Sequence, residues 1–141
     1  MKHVNIYTAT SLKGIRRQDG VIGYILEFKD DQTHTMERFA PVQQATQDQA
    51  ALICITKALS HMREKCEIDV FTECDGLLAI QNGWMCKWIH NNWKNSKGKD
   101  VANKAEWLNL LSATTGHKVR VHIKENHEYK SWLQHEIERR T

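Results

Sequence analysis

Short runs in which apolar residues alternate with polar ones, or follow one another directly, occur five times along the chain. Both patterns are typical of β-strands, because successive side chains of a strand point to opposite faces of a sheet. The predicted strands cover residues 3–9, 21–28, 33–40, 68–72 and 117–124. Asp30-Asp31 predicts a tight turn between the second and third strands, and the single proline, Pro41, is expected to end the third.

Apolar residues spaced three and four positions apart predict a helix that begins after Thr46. Thr46 is the expected N-cap, and Gln49 stands three residues later, where a capping box places its second member. Further helices are predicted over residues 77–82, 84–93 and 128–140, and over a segment started by Asn103 and Glu106. The apolar face expected in the last helix comprises Tyr129, Trp132, Leu133 and Ile137.

The resulting order of elements is β-β-β-α-β-α-α-α-β-α over 141 residues, a length typical of one domain. Three leading strands joined by short connections favour an antiparallel meander. The last two strands are separated from the others by helices, which favours parallel pairing. The sequence therefore predicts an α/β fold in which a mixed five-stranded sheet is flanked by helices, as a single domain over residues 1–141.

Composition argues against membrane and secreted classes of protein. The longest uncharged apolar run, residues 50–56, is far shorter than the ~18 residues that suggest a membrane span, so no membrane partner is expected. The residues after Met1 lack the apolar stretch typical of a secretory signal. The four cysteines include no C-x-x-C pair, which favours reduced and mostly buried thiols and a cytoplasmic location.

Charge is distributed unevenly along the chain, although the net charge is only +3. Residues 60–83 hold five acidic and two basic side chains, whereas residues 84–104 hold five lysines and one aspartate. A basic stripe beside an acidic patch is typical of a surface that binds a polyanion next to a metal site. The alternative is a solvated surface whose charges bind nothing specific.

One stretch of the chain carries the most specific motif. Residues 88–94 read W-I-H-N-N-W-K, and a lysine-rich loop and a helix containing Trp107 follow. Shorter motifs in the first, second and fourth strands are Tyr7-Thr8, Gly23-Tyr24-x-Ile-Leu, and Thr72 before an acid. Together with the order of elements, these motifs resemble the type 1 ribonuclease H family, whose basic handle corresponds to about residues 84–104 here.

The resemblance implies a two-metal nuclease site, in which four carboxylates hold two Mg²⁺ ions. The family takes these acids from the first strand, the first helix, the end of the fourth strand and the last helix. The corresponding positions of this chain are Ala9, Asp48, Glu73 and Lys130, with Gln134 as the last position if the register shifts by one turn. Alanine and lysine offer no carboxylate, and each remaining acid differs by one methylene from the family's residue.

These substitutions predict a catalytically degenerate site for which no cofactor is expected. Mg²⁺ requires near-ideal octahedral geometry, and a methylene moves a carboxylate by more than the ~0.5 Å that a functional site tolerates. Asp48 and Glu73 remain the residual catalytic and metal-binding candidates; alternatively, Asp48 only stabilises a helix N-terminus and Glu73 is solvated. A rearranged Mg²⁺ or Mn²⁺ site could instead combine Glu73 with Asp75 and Glu128. His127 stands in for the family's loop histidine.

The handle supplies the predicted nucleic-acid-binding residues, which are Lys87, Trp88, Trp93, Lys94, Lys97 and Lys99. Lysines would neutralise phosphates, and an exposed tryptophan would pack on a sugar or a base. We expect the lysines and Trp93 to be exposed, and one or both of Trp84 and Trp88, which are one turn apart, to contribute to the core. The resemblance also implies that Gln44 and Thr46 stand where the family contacts the RNA 2′-hydroxyl.

Three functions are compatible with this sequence. The first is a ribonuclease H-like domain that binds RNA/DNA hybrid, or another duplex of A-like geometry, through its handle without cleaving it. The second is an active Mg²⁺- or Mn²⁺-dependent ribonuclease H that cleaves RNA in such hybrids with a rearranged carboxylate site. The third is a protein-interaction scaffold, which an exposed apolar patch without basic surroundings would favour. The sequence favours the first function and leaves the oligomeric state open.

Overall fold

The computed structural model describes residues 1–81 and 83–141, without the side chains of residues 79, 81 and 84. Within these residues, five strands form one sheet: β1 (Lys2–Thr10), β2 (Gln18–Lys29), β3 (Thr33–Ala45), β4 (Cys66–Thr72) and β5 (Lys118–Ile123). The strand order across the sheet is β3-β2-β1-β4-β5. Each strand overlaps one of the runs predicted from hydrophobic alternation.

The direction of the strands follows the length of the connections between them. The short connections make β1, β2 and β3 an antiparallel meander, whereas β4 pairs in parallel with both β1 and β5. Parallel neighbours need a long crossover, and the helices that precede β4 and β5 supply it. The predicted mixed five-stranded sheet is therefore confirmed.

Strand β3 is longer than predicted, because Pro41 does not end it. Pro41 pairs with Val21 inside the strand, and the pairing continues until Ala45 lies opposite Gln18. Since β3 is at the edge of the sheet, the N–H that proline lacks is not needed for pairing with a further strand. The prediction that residues 33–40 bound this strand is wrong for that reason.

The described helices follow the predicted order. They are α1 (Gln47–Leu59), α2 (Leu78–Gln81), α3 (Trp84–His90), α4 (Lys104–Thr114) and α5 (Lys130–Arg140), with a single 3₁₀ turn at Asp75–Leu77 before α2. Asn82, predicted to end a helix, and the Trp84 side chain, predicted to be in the core, lie outside the described residues. Among the helices described, none is long and apolar enough to cross a membrane.

A side-chain cap explains where α1 begins, whereas α4 begins without one. The Thr46 hydroxyl accepts the Gln49 backbone N–H at 3.2 Å, as predicted for an N-cap. The Gln49 side chain does not return to Thr46; it donates to Glu106 Oε1 at 2.7 Å and so ties α1 to α4. Asn103 adopts a left-handed conformation, with φ 58°, and its side chain makes no capping hydrogen bond.

The two faces of the sheet carry different helices. Helix α1 covers one face and α4 packs on α1, and Ile6, Ile55 and Leu110 are among the most deeply buried side chains of the core on this side. Helix α5 packs on β1 and β2 from the opposite face, where Leu133 belongs to a smaller cluster. Trp132 does not join the buried face predicted for α5, because it is 43% exposed and its ring lies 6.2 Å from the ring of Phe39.

The four cysteines are free thiols, as predicted from their spacing. Cys54, Cys66 and Cys74 are buried, and Cys86 on α3 is exposed. Burial raises the pKa of the Cys54 thiol to about 12, although backbone groups of Ala9 and Gly23 partly oppose the shift. The buried cysteines therefore act as small apolar core residues.

The topology brings four separate segments to one end of the sheet. Strands β1 and β4 are parallel, so their carboxyl ends lie at the same edge. Strand β3 ends at that edge as well and leads directly into α1, and β5 ends there before α5. The ends of β1 and β4 therefore meet the starts of α1 and α5, as at the crevices where α/β sheets commonly bind ligands.

Candidate active site and nucleic-acid interface

Ala9 lies at the carboxyl end of β1, opposite Gly23 of β2. It lines a cavity of about 170 Å³ between the ends of β1 and β4, to which Glu73 and Gln134 also contribute. The methyl group of Ala9 can neither bind a cation nor accept a hydrogen bond. The strand position where the family carries an acid therefore has no ligand in this chain.

Lys130 and Glu73 form an ion pair beside this cavity. Lys130 is the first residue of α5, and its Nζ lies 2.8 Å from Oε1 of Glu73, which directly follows β4. Gln134, one turn later on the same helix, lines the cavity. Lys130 and Gln134, the two alternatives for the last ligand position, are thus both near the site, and Lys130 forms the ion pair with Glu73.

The carboxylate of Asp48 contacts the segment that follows β4. The Cys74 thiol donates to Asp48 Oδ1 at 2.9 Å, and burial together with this carboxylate raises the pKa of Cys74 to about 12. Gly76 packs so closely on Asp48 that a β-carbon there would lie 2.5 Å from the carboxylate. Asp48 therefore links the first turn of α1 to residues 74–76, and Gly76 is required for that close approach.

The other acids near the site are paired with lysines. Lys124 Nζ lies 2.9 Å from Asp75 Oδ2, and Lys29 lies 3.9 Å from Glu128. Among the residues that the structure describes, no three histidine, cysteine, aspartate or glutamate side chains are grouped so that they could hold a metal ion. The residues present do not fit a pair of divalent ions, in either the family's arrangement or the rearranged one.

A buried glutamate that sequence analysis did not identify holds α5 in place. The Glu27 side chain, on β2, is fully buried and accepts hydrogen bonds from the Tyr129 hydroxyl, from Tyr7 at 3.1 Å and from Asn5 at 3.1 Å. Burial alone would raise the pKa of Glu27, but these hydrogen bonds hold it below its ordinary value. The sequence feature that could have identified Glu27 is that it is the one acid inside the apolar run of residues 21–28.

Replacing Glu27 by alanine is expected to lower the free energy of unfolding by about 2–4 kcal/mol. Two tyrosine hydroxyls and an amide would lose their acceptor, and Tyr129, the residue directly before Lys130, would no longer be held by Glu27. Urea denaturation followed by circular dichroism measures the change. Glu37→Ala, at an exposed position of β3, is the control and should change stability by less than ~0.5 kcal/mol. Equal stability of the two variants would contradict this role of Glu27.

A second polar cluster, also missed by sequence analysis, joins three strands on the sheet face that α5 partly covers. Asp69 on β4 accepts two hydrogen bonds from Arg120, at 2.9 and 3.1 Å, and contacts the Nε2 atoms of His3 and His122. Burial opposes ionisation, but these partners hold the pKa of Asp69 well below its usual range. Burial likewise opposes protonation of His122, yet Asp69 and Glu125 raise its pKa. The cluster stabilises the β1–β4–β5 part of the sheet.

His127, which the sequence predicted as a stand-in for the family's loop histidine, is packed against aromatic rings. Its ring centroid lies 4.5 Å from that of Tyr7, and its Nδ1 accepts the Tyr129 backbone N–H at 3.2 Å. Burial and the nearby Lys130 ammonium lower the pKa of His127. These contacts favour a neutral, positioned imidazole.

The handle is anchored by a cluster of tryptophans. The Trp88 ring lies 6.0 Å from that of Trp93 and 5.2 Å from that of Trp107 on α4. Trp88 packs against the core as expected, but Trp93 is only 8% exposed, so the prediction that it is solvent-exposed is wrong. The turn after α3 directs Trp93 inward because its φ is 60° and its carbonyl accepts the N–H of buried Val101 at 2.9 Å.

The four handle lysines predicted to bind nucleic acid are exposed, as predicted: Lys87, Lys94, Lys97 and Lys99. Lys97 and Lys99 lie in a turn closed by Asn95, whose Oδ1 accepts both of their backbone N–H groups at 2.9 and 3.1 Å. Lys94 is bonded to Asp100 at 2.6 Å across a β-bridge, and Lys87 is exposed on α3. The turn thus presents two ammonium groups on a fixed backbone.

The handle lies next to the start of α1. A cavity of about 340 Å³ separates them and is lined by Asp48 and Gly76 on one side and by Trp88, Asn95 and Asn103 on the other. The basic surface and the ligand positions of the family are therefore adjacent. A duplex could contact both.

Gln44 and Thr46 have protein partners in this structure. Both the backbone and side-chain nitrogens of Gln44 donate to Asp19 Oδ1, at 2.9 and 3.1 Å, while its backbone is in the left-handed region with φ 49°. The Thr46 hydroxyl caps α1. A contact with a 2′-hydroxyl would have to share or replace these hydrogen bonds.

The loop after β1 adds positive charge near the start of α1. Gly14 fixes this loop, because its N–H donates to Gln47 Oε1 at 3.1 Å and its φ is 79°. Lys13, Arg16 and Arg17 are exposed around Ile15, which is itself 96% exposed. The exposed isoleucine therefore has basic surroundings, unlike the apolar patch expected of a protein-interaction scaffold.

Solved structures with the same fold include a type 1 RNase H and a foamy viral protease-reverse transcriptase. The crystal structure of LC9-RNase H1, described as a type 1 RNase H with the type 2 active-site motif, superposes with a TM-score of 0.79 at 19% identity, covering 96% of this chain and 70% of that one. A foamy viral protease-reverse transcriptase in complex with RNA/DNA hybrid superposes with a TM-score of 0.69 at 11% identity, covering 94% of this chain and 18% of that one. Identities this low show the fold alone.

Sequence comparison shows the family. The family model of RNase H matches residues 1–131. Ribonuclease HI of Haemophilus ducreyi is 30% identical over 122 residues, covering 86% of this chain and 74% of that protein. Ribonuclease H of Syntrophomonas wolfei is 31% identical over 134 residues, covering 94% of this chain and 89% of that protein. This chain therefore belongs to the ribonuclease H family.

Proposed function

We propose that this protein is a ribonuclease H-like nucleic-acid-binding domain that binds RNA/DNA hybrid, or another duplex of A-like geometry, without cleaving it. The observation that carries the proposal is the Lys130–Glu73 ion pair, 2.8 Å long, next to Ala9. A cytoplasmic location, with no divalent cofactor, is part of the same proposal.

The loss of cleavage follows from the four ligand positions taken together. One carries a methyl group, one carries an ammonium, and the two acids are engaged by Lys130 and by Cys74. Mg²⁺ gets most of its affinity for proteins from carboxylates and must keep octahedral geometry. An ammonium within 3 Å of Glu73 also opposes the approach of a divalent cation by direct repulsion.

Retained binding is supported by the handle. Lys97 and Lys99 are held in a turn by Asn95, and a tryptophan cluster fixes the handle against α4. Lysines that neutralise phosphates release counterions, which supplies sequence-independent affinity for nucleic acid. The foamy viral protein of the same fold was solved with RNA/DNA hybrid, which makes a hybrid the first duplex to test here.

A second candidate is an active ribonuclease H with a rearranged carboxylate site. The names of the relatives favour it, because proteins about 30% identical are called ribonuclease H. The description of LC9-RNase H1 also indicates that the active-site motif varies within this fold. For this candidate, Glu73 and Asp75 would have to exchange Lys130 and Lys124 for metal ions.

Binding to labelled duplexes in EDTA tests the proposed function. Fluorescence anisotropy with RNA/DNA hybrid, double-stranded RNA and double-stranded DNA should give submicromolar to micromolar affinity for the hybrid, weakening steeply with monovalent salt. Polyacrylamide gels of the same samples should show intact RNA after Mg²⁺ is added. The absence of binding to all three duplexes at low salt would overturn the proposal.

A further inference from the structure

Six of the side chains that line the cavity at the end of β1 carry groups that can donate hydrogen bonds. The polar side chains that line it are Thr8, Thr10, Lys13, Gln47, Thr72 and Gln134, together with Glu73. Among the described residues that line it, Glu73 is the one carboxylate. Asp48 does not line this cavity, since its carboxylate contacts Cys74 and Gly76.

The replacement of carboxylates by uncharged groups and a lysine changes the interaction of this site with a phosphate from repulsion to attraction. Four carboxylates close together repel a phosphodiester unless divalent cations lie between them. Here Lys130 and Lys13 balance the formal charges of Glu73 and Asp48. An anion can therefore approach the end of β1 without a metal ion.

The ammonium of Lys130 is available for a second partner. Its side chain is 28% exposed and that of Glu73 is 41% exposed, so solvent screens the pair and weakens it. An ammonium carries three donors on a flexible stem, so one N–H can remain on Glu73 while another meets a phosphate oxygen. Lys13 is exposed on the loop after β1 and lines the same cavity.

We propose that Lys130, with Lys13, binds a backbone phosphate of the nucleic acid at this cavity, where an ammonium takes the place of a divalent ion. The inference rests on the proposed function, because the duplex must lie across both the handle and the end of β1. Hybrid binding is then independent of divalent cations, and Glu73 competes with the phosphate for Lys130.

Hybrid binding by single variants tests this phosphate site. Binding is measured by anisotropy over a series of salt concentrations in EDTA, and again in Mg²⁺ at matched ionic strength. Lys130→Gln and Lys13→Gln should each weaken binding about 3- to 10-fold and reduce the slope of log Kd against log salt by about one. Lys130→Arg should keep the wild-type slope, and Glu73→Gln should tighten binding. The control is Lys118→Gln, at the opposite end of the sheet beside Glu67, which should bind like the wild type.

The outcomes distinguish the phosphate site from the proposed function of hybrid binding. Thermal unfolding of every variant shows that a loss of binding is not a loss of folded protein. If the wild type binds hybrid in EDTA and neither Lys130→Gln nor Lys13→Gln changes this binding, the phosphate site is overturned. The handle then remains as the binding surface. Absence of hybrid binding by the wild type overturns both the site and the proposed function.

Discussion

Restoring the four acids of the family should convert this protein into a nuclease. The variant combines Ala9→Asp, Asp48→Glu, Glu73→Asp and Lys130→Asp, and we expect Mg²⁺-dependent cleavage of RNA/DNA hybrid at least about 100-fold faster than by the natural chain. A factor of 100 corresponds to about 2.7 kcal/mol of barrier, which is within the several kcal/mol that a two-metal site supplies. The physical reason is that the fold already places these four positions at one end of the sheet.

The matched control keeps Lys130 and carries the other three substitutions. Its ammonium would remain beside residue 73, so the control should show no cleavage above that of the natural chain. Cleavage is followed with a hybrid labelled on its RNA strand, and each variant is first checked by thermal unfolding. A folded quadruple variant that neither binds Mn²⁺ nor cleaves would mean that more than the missing acids separates this chain from an active nuclease.

Removing three lysines of the handle should weaken hybrid binding by about 100-fold. The variant replaces Lys87, Lys97 and Lys99 with glutamine, which keeps their exposed apolar stems but removes their charges. If each lysine neutralises one phosphate, the slope of log Kd against log salt should fall by about three. Lys94 is left in place because its bond to Asp100 stabilises the β-bridge of the handle.

The control for the handle variant replaces three exposed lysines elsewhere. Lys57 on α1, Lys65 before β4 and Lys118 on β5 lie outside the handle, so this variant has the same net charge but an intact handle. It should bind hybrid within about twofold of the natural chain, because screening limits the reach of exposed charges to about 10 Å. Equal losses in the two variants would show that binding depends on net charge rather than on the handle.

Much of the fold could be predicted from periodicity and connection length. Runs of alternating or consecutive apolar residues located each of the described strands, and helical spacing with Thr46 as N-cap located α1. The errors fall where tertiary contacts outweigh local preference. Pro41 continues β3 because that strand is at an edge, and Trp93 is buried because a left-handed turn directs it toward Trp88.

The position of the site was predictable, whereas its internal contacts were not. The resemblance to the family, aligned on the last helix, indicated Lys130, and the structure places that lysine beside Glu73. The orientation of Asp48 toward Cys74 depends on the close approach of Gly76 to the Asp48 carboxylate. No sequence pattern predicts that approach. Glu27 was missed because a buried carboxylate is recognised by its partners, and those come from β1 and from the residue before α5.

The central claim, that the natural site does not support metal-dependent cleavage, is tested most directly by a hybrid-cleavage assay. Purified protein is incubated with RNA-labelled hybrid in Mg²⁺ and, separately, in Mn²⁺, beside Glu73→Gln prepared in the same way as a control for contaminating nuclease. We expect RNA strands as intact with the natural chain as with buffer alone, in both metals. Cleavage by the natural chain that disappears in Glu73→Gln would contradict the account.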